Sequence, residues 1–491
     1  MLLAFVPPLT FDPVWWRVDD PDHPDAIARS ATGSILAAPP TDGTPYRRES
    51  VPVPDAWDSE AVTVTNADVW HADGLTGAGV SVAVFDLGWF AGNTDPAEVG
   101  DVVTHDCFTS PSCLPEIDVW RPNLALEGGA HGWACAEVIH DIAPDATLHL
   151  VRANSFTMYE NAVAWAVSEG IDVVSMSLSF YNDSFYDGTG PHDRLMRDVE
   201  AAGVLFVKSA GNTALQHWSG PFTDADTDGL LDGDAGDGML VDLPGDDATV
   251  FVAWNQFDRC GDTDLDAALL DLDGRIVLES EAVQLPEDPS GEGPQCSPTE
   301  RLQGATPGPG VYRIEVRQRR GSRVGLEVDV QTRTGELLSP TASGSTSDPA
   351  AHPLAATVGA VRASRYWDGA PEVFSSGGPT NGGVPKPDVF GPDGLSTAAF
   401  GPTGFYGTSA STPAVAGLVA LVLEDDPSLT PREAFERVQG WAHDTGDVAG
   451  RARLPARDPS APGCGRHPLV LAIPLLSLWL PRRRLRTTEE P

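Results

Sequence analysis

A chain of 491 residues, 41% of them hydrophobic, has material for a large core and for more than one folded unit. Thirty-one basic residues against 71 acidic ones leave a formal net charge of −40. That field repels nucleic acid and anionic lipid, and so excludes both as partners of the folded body.

Residues 1–60 are rich in Pro, Asp and Ala with little periodicity, and read as a leader, prosegment or linker. The opening MLLAFVPPLT is apolar but lacks the basic start and cleavage site of a full secretion signal. From Val62 the texture changes. Short apolar strands at 80–85, 146–151, 171–178 and 204–207 alternate with helical patterns at 133–142, 161–168 and 195–202. That alternation predicts an α/β domain with a mainly parallel sheet covered on both faces. Residues 215–345 break the rhythm: they are rich in Asp, Gly and Pro, and Val311–Val316 and Val324–Val330 alternate apolar with polar. An inserted antiparallel β unit is expected there. Ser339–Pro349 reads by composition as a linker, and the α/β texture returns at Leu354–Val361. The expected organisation is therefore a split domain, 61–214 and 346–450, around an insert at 215–345, with a linker and tail at 451–491.

Of six cysteines, Cys107/Cys113 and Cys260/Cys296 are candidate disulfide pairs, as against free thiols, and a disulfide implies an oxidising compartment. Cys135 lies in an apolar helical pattern and is expected to be a small core residue. The only lysines are Lys208 and Lys386, which reads as base composition of the gene. In the tail, Cys464 precedes an apolar run, Leu469–Leu480, closed by Arg482, Arg483, Arg484 and Arg486. The run is shorter than the roughly 20 residues of a spanning helix. It resembles C-terminal sorting tags of myxobacterial type, with a simple tail anchor as the alternative. Membrane contact is expected only through this tag, and the protein is expected to be secreted or surface-anchored and monomeric.

Three motifs carry chemistry. Gly407-Thr408-Ser409-Ala410-Ser411-Thr412-Pro413 opens a long apolar helix, with Pro413 expected in its first turn. Ser409 then sits at a helix N-terminus, where free N–H groups favour negative charge on a substrate oxygen; a plain N-cap serine is the alternative. Asp86 ends a buried strand, at the edge where open α/β sheets bind ligands, and such an Asp orients an imidazole or merely caps a turn. His131, in Gly128-Gly129-Ala130-His131-Gly132, starts a helix among small neighbours, as a base or a cap. His140 is a rival base at the helix's far end.

In the order Asp, His, Ser, these motifs resemble the subtilase family of serine peptidases, over about 60–215 and 346–445. The resemblance implies a subtilisin-like fold and an Asp86–His131–Ser409 triad that cleaves protein or peptide substrates through an acyl-enzyme. Val207-Lys208-Ser209-Ala210-Gly211-Asn212 resembles the family's strand–Gly–Asn segment, which implies Asn212 in the oxyanion hole and Gly211 beside the substrate. Ser175-Met176-Ser177-Leu178 resembles the segment that pairs with substrate backbone and lines the first specificity pocket. Phe374–Pro379 and Lys386–Asp388 resemble the approach to the nucleophile. The chain departs from the family pattern at Leu87, where Thr is usual, and at Trp133-Ala134, where bulk is expected to narrow the substrate side of the helix. A catalytically silent surface-binding protein and a specialised processing protease are the competing readings.

In the insert, Asp224, Asp226, Asp228 and Asp232, with Leu230 offering a backbone oxygen, match the start of a calcium loop. Position twelve is Ala235, so the loop resembles thrombospondin- or dockerin-type loops more than an EF-hand, and structural Ca2+ is expected. The remainder of the insert resembles jelly-roll modules; Asp264 and Asp266 read as turn-capping residues or a second metal pair.

Overall fold

The computed structural model describes residues 59–89, 96–107, 113–115, 129–153, 155–233, 236–257, 263–284 and 297–457. Upstream it describes only the backbone strands Trp16–Val18, Ala28–Ser30, Gly33–Leu36 and Tyr46–Arg48, one small antiparallel sheet. Cys260, Cys296, Cys464 and the C-terminal tail lie outside the described residues. No described helix is long and apolar enough to cross a membrane.

The body begins with two short helices, α1 (Glu60–Val64) and α2 (Ala67–Ala72). Then come β1 (Ser81–Asp86), β2 (Val102–Asp106), β3 (Leu114–Pro115), α3 (His131–Ile142), β4 (Thr147–Arg152), α4 (Phe156–Glu169), β5 (Val173–Met176), α5 (Pro191–Ala201) and β6 (Leu205–Ser209). The insert follows as β7 (His217–Pro221), β8 (Met239–Leu243), β9 (Asp247–Trp254), β10 (Asp264–Leu270), β11 (Ile276–Ser280), β12 (Thr299–Ala305), β13 (Gly310–Arg320), β14 (Glu327–Thr332) and β15 (Glu336–Leu337). The body resumes with β16 (Ala356–Arg362), β17 (Val389–Asp393), the hairpin β18 (Leu395–Thr397) and β19 (Gly401–Phe405), α6 (Thr408–Asp425) and α7 (Pro431–Trp441).

The body's sheet has the order β17-β16-β6-β5-β1-β4-β2-β3, seven parallel strands with β3 antiparallel at one edge. Its central strands are apolar on both sides because helices cover both faces. Val82, Val84 and Val207 pack with α3 and α6, whereas Ala83, Phe85 and Phe206 pack with α4 and α5. The insert is two antiparallel sheets, β7-β14-β9-β12 and β11-β10-β13-β8-β15, around one core that includes Val250, Trp254, Leu265, Leu269, Ile314 and Val328. Cys107 and Cys113 form a disulfide beside β3, and Cys135 is a buried free thiol.

Three expectations are corrected. Trp133 is 1% exposed within the core under α3, so its bulk fills the interior and leaves the substrate side alone. Pro413 lies in the second turn of α6, not the first. The Ser339–Pro349 segment is not a solvated linker in its second half. Ser345 and Thr346 are fully buried and Ser347 and Asp348 nearly so, because the segment bridges Gly377 on one side and Phe180 on the other.

Candidate active site

The carboxyl end of β1 delivers Asp86 with no exposed surface. Its Oδ1 accepts the backbone N–H groups of Leu87 (2.8 Å) and Gly88 (3.0 Å), which leaves Oδ2 for His131 Nδ1 at 2.7 Å. A carboxylate fixed by two backbone donors cannot swing, so the imidazole it holds has one orientation. The approach depends on Gly132: a Cβ there would meet Asp86 Cβ and Gly88 O, each at 2.7 Å, and Gly132 N–H donates to Gly88 O at 2.8 Å.

His131 is the first residue of α3, its side chain 26% exposed and edge-on to Phe405 at 5.8 Å. Burial disfavours its cation, but the charge of Asp86 and the hydrogen bond to it outweigh burial and raise the imidazole above its ordinary 6.5. His140, at the other end of α3, lies against Gly100 and has its pKa lowered, chiefly by burial.

Ser409 is the second residue of α6, after Gly407 at φ 103°. Pro413 has no N–H to give the Ser409 carbonyl four residues back, so that carbonyl is released from the helix ladder. It accepts instead from Ser177 Oγ (3.3 Å) and Cys135 Sγ (3.7 Å). The polar atoms of Asp86, His131 and Cys135 lie within 4.8 Å of one another. Cys135 is one turn below His131, so its contact brings the nucleophile's backbone to the foot of the Asp–His pair.

Asn212 is exposed at the end of the β6 segment. Its Oδ1 accepts Thr408 N–H and Thr408 Oγ1–H, both at 2.9 Å, which fixes the amide plane with Nδ2 beside Gly407. Thr408 Oγ1 also accepts from Gly211 N–H at 3.2 Å. Gly407 is required here, because a Cβ would stand 2.7 Å from Asn212 Nδ2. Of the predicted substrate segment, Ser175 and Met176 are buried strand residues (1% and 0% exposed), so only Ser177 and Leu178 reach the strand's end.

Two positioning residues were not singled out from sequence. Thr408 aims Asn212. Asp393, in an Asp-Gly turn after β17, holds Gly394 N–H (2.6 Å) and Gly407 N–H (2.7 Å), and burial pushes its carboxyl up to about 7. The Asp-Gly pair is a turn signal in the sequence, but its reach to Gly407 is not.

In the insert, the carboxylates of Asp224, Asp226 and Asp228 converge within 4.8 Å, as a hard cation requires. Backbone N–H groups shape the loop: Asp228 and Gly229 donate to Asp224, and Leu230 to Asp228. Arg323 also reaches Asp224, at 2.5 Å. One expected ligand is not in this cluster. Asp232 turns its carboxylate to Ala225 N–H at 2.8 Å. Asp264 and Asp266 face arginines, Arg320 and Arg319, rather than each other across a metal.

The subtilase family model matches residues 121–232 and 332–455, skipping most of the insert. Subtilisin DY from Bacillus licheniformis is 24% identical over 170 residues, 31% of this chain and 54% of that protein. The chain thus spans about half the length of this curated relative. Among solved structures, the CspB protease of Clostridium perfringens superposes with a TM-score of 0.52 at 16% identity, covering 79% of this chain and 92% of that one. MycP1 from Mycobacterium smegmatis gives 0.39 at 18% identity, with 84% and 89% covered, too distant to bear on the fold.

Proposed function

We propose that this chain, which matches the subtilase family of serine peptidases over residues 121–232 and 332–455, is an active serine endopeptidase that cleaves protein or peptide substrates through Asp86, His131 and Ser409. The observation that carries this is the 2.7 Å Asp86–His131 pair beside the freed N-terminal turn of α6. Ser409 attacks the scissile carbonyl while neutral His131 accepts its proton at Nε2. Asp86 holds the Nδ1 proton in place and stabilises the imidazolium without taking its proton. The oxyanion is met by Asn212 Nδ2 and the N-terminal N–H of Ser409, both fixed before substrate arrives. His131 then protonates the leaving amine, and water repeats the sequence on the acyl-enzyme.

A fluorophosphonate probe should label the purified protein at Ser409, and Ser409→Ala should abolish labelling. An unlabelled protein with a folded body would reject catalysis and favour the silent surface-binding reading.

Secretion or surface anchoring is part of the same proposal, supported by the Cys107–Cys113 disulfide, since such bonds persist in oxidising compartments. A structural Ca2+ at Asp224, Asp226 and Asp228 is proposed as well. It would neutralise like charges: for Asp226, the bond from Asp228 N–H favours the anion, yet burial and Asp228, Asp237 and Asp224 together leave its pKa raised.

A further inference from the structure

The chain leaving β5, residues 177–182, runs from the candidate nucleophile to the insert. At its start Ser177 Oγ donates to Ser409 O at 3.3 Å. Leu178 and Phe180 pack on the body's core, Phe180 against the rings of Tyr159 (5.3 Å) and His192 (5.2 Å). Phe180 forms a β-bridge with Asp348, its N–H donating to Asp348 O at 3.0 Å, so one backbone edge is taken there. Backbone groups alternate in direction along a strand, so those of Ser179 and Tyr181 point to the opposite edge.

The far end of this segment is held by the insert. Tyr181 stacks on Phe251 of β9, with ring centroids 4.9 Å apart and planes inclined by 12°. Arg301 lies over Phe251 at 5.2 Å and Arg333 over Tyr181 at 5.9 Å, contacts that add cation–π attraction to the stack. Asn182 Nδ2 donates to Glu300 O at 2.9 Å. Phe251 faces the body because Val250 and Val252 on either side of it are buried in the insert's core, and successive strand residues point to opposite faces. The same outer face carries His217 and Asp329, paired at 3.0 Å with side chains 0% and 1% exposed, and Asn381 of the body donates to Asp329 Oδ2 at 3.1 Å. A sheet face in water would leave such groups solvated, so this face is docked on the body. His217 opens β7, only a short step along the chain from Asn212. The insert therefore grips the chain beyond both β5 and β6.

We infer that the insert positions the substrate-binding segment: Phe251, acting through Tyr181, holds residues 177–181 in the form with which the acyl side of a substrate pairs, the side that keeps the scissile carbonyl. The segment spans four residue steps, about 13 Å at roughly 3.3 Å each. Only a substrate extending several residues on its acyl side reaches the end that the insert holds. Without the stack that end must be ordered when substrate binds, and the cost falls on KM. The reacting groups stand at the segment's other end, so kcat is spared. This inference rests on the endopeptidase reading above.

The experiment uses the full chain and a pair of fluorogenic peptides built on a bond that the wild type cleaves in denatured casein. One extends about six residues on the acyl side and the other about two, short of the held end. In Phe251→Ala, KM for the long peptide should rise about three- to tenfold, the range an aromatic pair supplies, with kcat within about twofold. The short peptide should be cleaved as before, so the long/short ratio of kcat/KM falls by the same factor. Phe251→Tyr keeps the stack and should restore the ratio. Tyr181→Ala should match Phe251→Ala, and the double variant should lose no more, because both remove one contact. The ratio is internal to each preparation, so a smaller folded fraction does not change it. An unchanged ratio in Phe251→Ala, an equal loss for both peptides, or additive losses in the double variant overturns the inference. Fluorophosphonate labelling of the same samples separates the two claims. Labelling with an unchanged ratio rejects the positioning role alone, and a wild type that neither labels nor cleaves rejects both.

Discussion

Asp86 and Asp224 each take two backbone N–H groups, from Leu87 and Gly88 in one case and from Asp228 and Gly229 in the other. The two regions then diverge. Asp86 is enclosed by the parallel sheet and has one further partner, His131. The acidic loop lies on the insert, where Asp226 and Asp228 are exposed and three like charges share a space 4.8 Å across. Enclosure makes a charge directional, because a buried carboxylate must satisfy each lone pair with a specific donor. Exposure lets charges pool, since water screens their repulsion. The first arrangement suits proton transfer and the second suits a hydrated cation.

The largest test of this contrast is removal of the enclosed groups. Ser409→Ala or His131→Ala should lower turnover by about 10⁶, and Asp86→Asn by about 10⁴, with circular dichroism unchanged. A tenfold loss in Asp86→Asn would mean that enclosure does not orient His131. Next, Asn212→Ala should cost about 10²–10³ in kcat with little change in KM. Thr408→Val, which keeps its N–H to Asn212 but loses the hydroxyl, should cost about tenfold, as one hydrogen bond does. An equal loss in KM would instead place Thr408 in ground-state binding.

The pH profile sharpens the same point. His131 must be neutral to accept a proton, and its pKa is raised above 6.5 by Asp86 despite burial. Activity should therefore rise with pH through a midpoint above 6.5, and Asp86→Asn should move that midpoint down. An unmoved midpoint would show that another group governs the profile. The smallest effect is expected in the pooled site. Millimolar Ca2+ should raise the thermal midpoint by a few degrees, as a ligand in excess of its Kd stabilises by about 1–3 kcal/mol. Asp226→Asn should remove that gain and leave the pH midpoint of activity where it was.

Lys208 supplies a further comparison within the body. Burial lowers its pKa from 10.5 to about 7, against the opposing charge of Asp348. The unfolded chain then binds the proton more tightly than the folded one, so this residue's penalty is complete below pH 7 and fades between about 7 and 10.5. Lys208→Met should remove that slope in a denaturation series across this window. A slope that persists would show that Lys208 is charged throughout.

Much of the candidate site was legible because each residue of the proposed triad stands at a junction of two textures. Asp86 follows an apolar run, His131 follows glycines and precedes a helical pattern, and Ser409 follows Gly407 at the head of the most apolar helix. Such boundaries are set by local preferences, and the alternation of strands and helices around them dictated a parallel sheet. Tertiary structure alone decided the rest. Ser345–Asp348 has the composition of a solvated linker, but Phe180 and Thr213, each more than 130 positions away, draw it inside. Trp133 turned inward because α3 had a core to fill beneath it. Asp232 bonds Ala225 N–H instead of joining the three clustered carboxylates, and Thr408 gained its role only when α6 met the end of β6. Composition sets how a segment bends and what it can bond, but burial and partners depend on what the rest of the chain packs against it. The sequence by itself therefore picked out the candidate reacting groups, while the fold decided which atoms surround them.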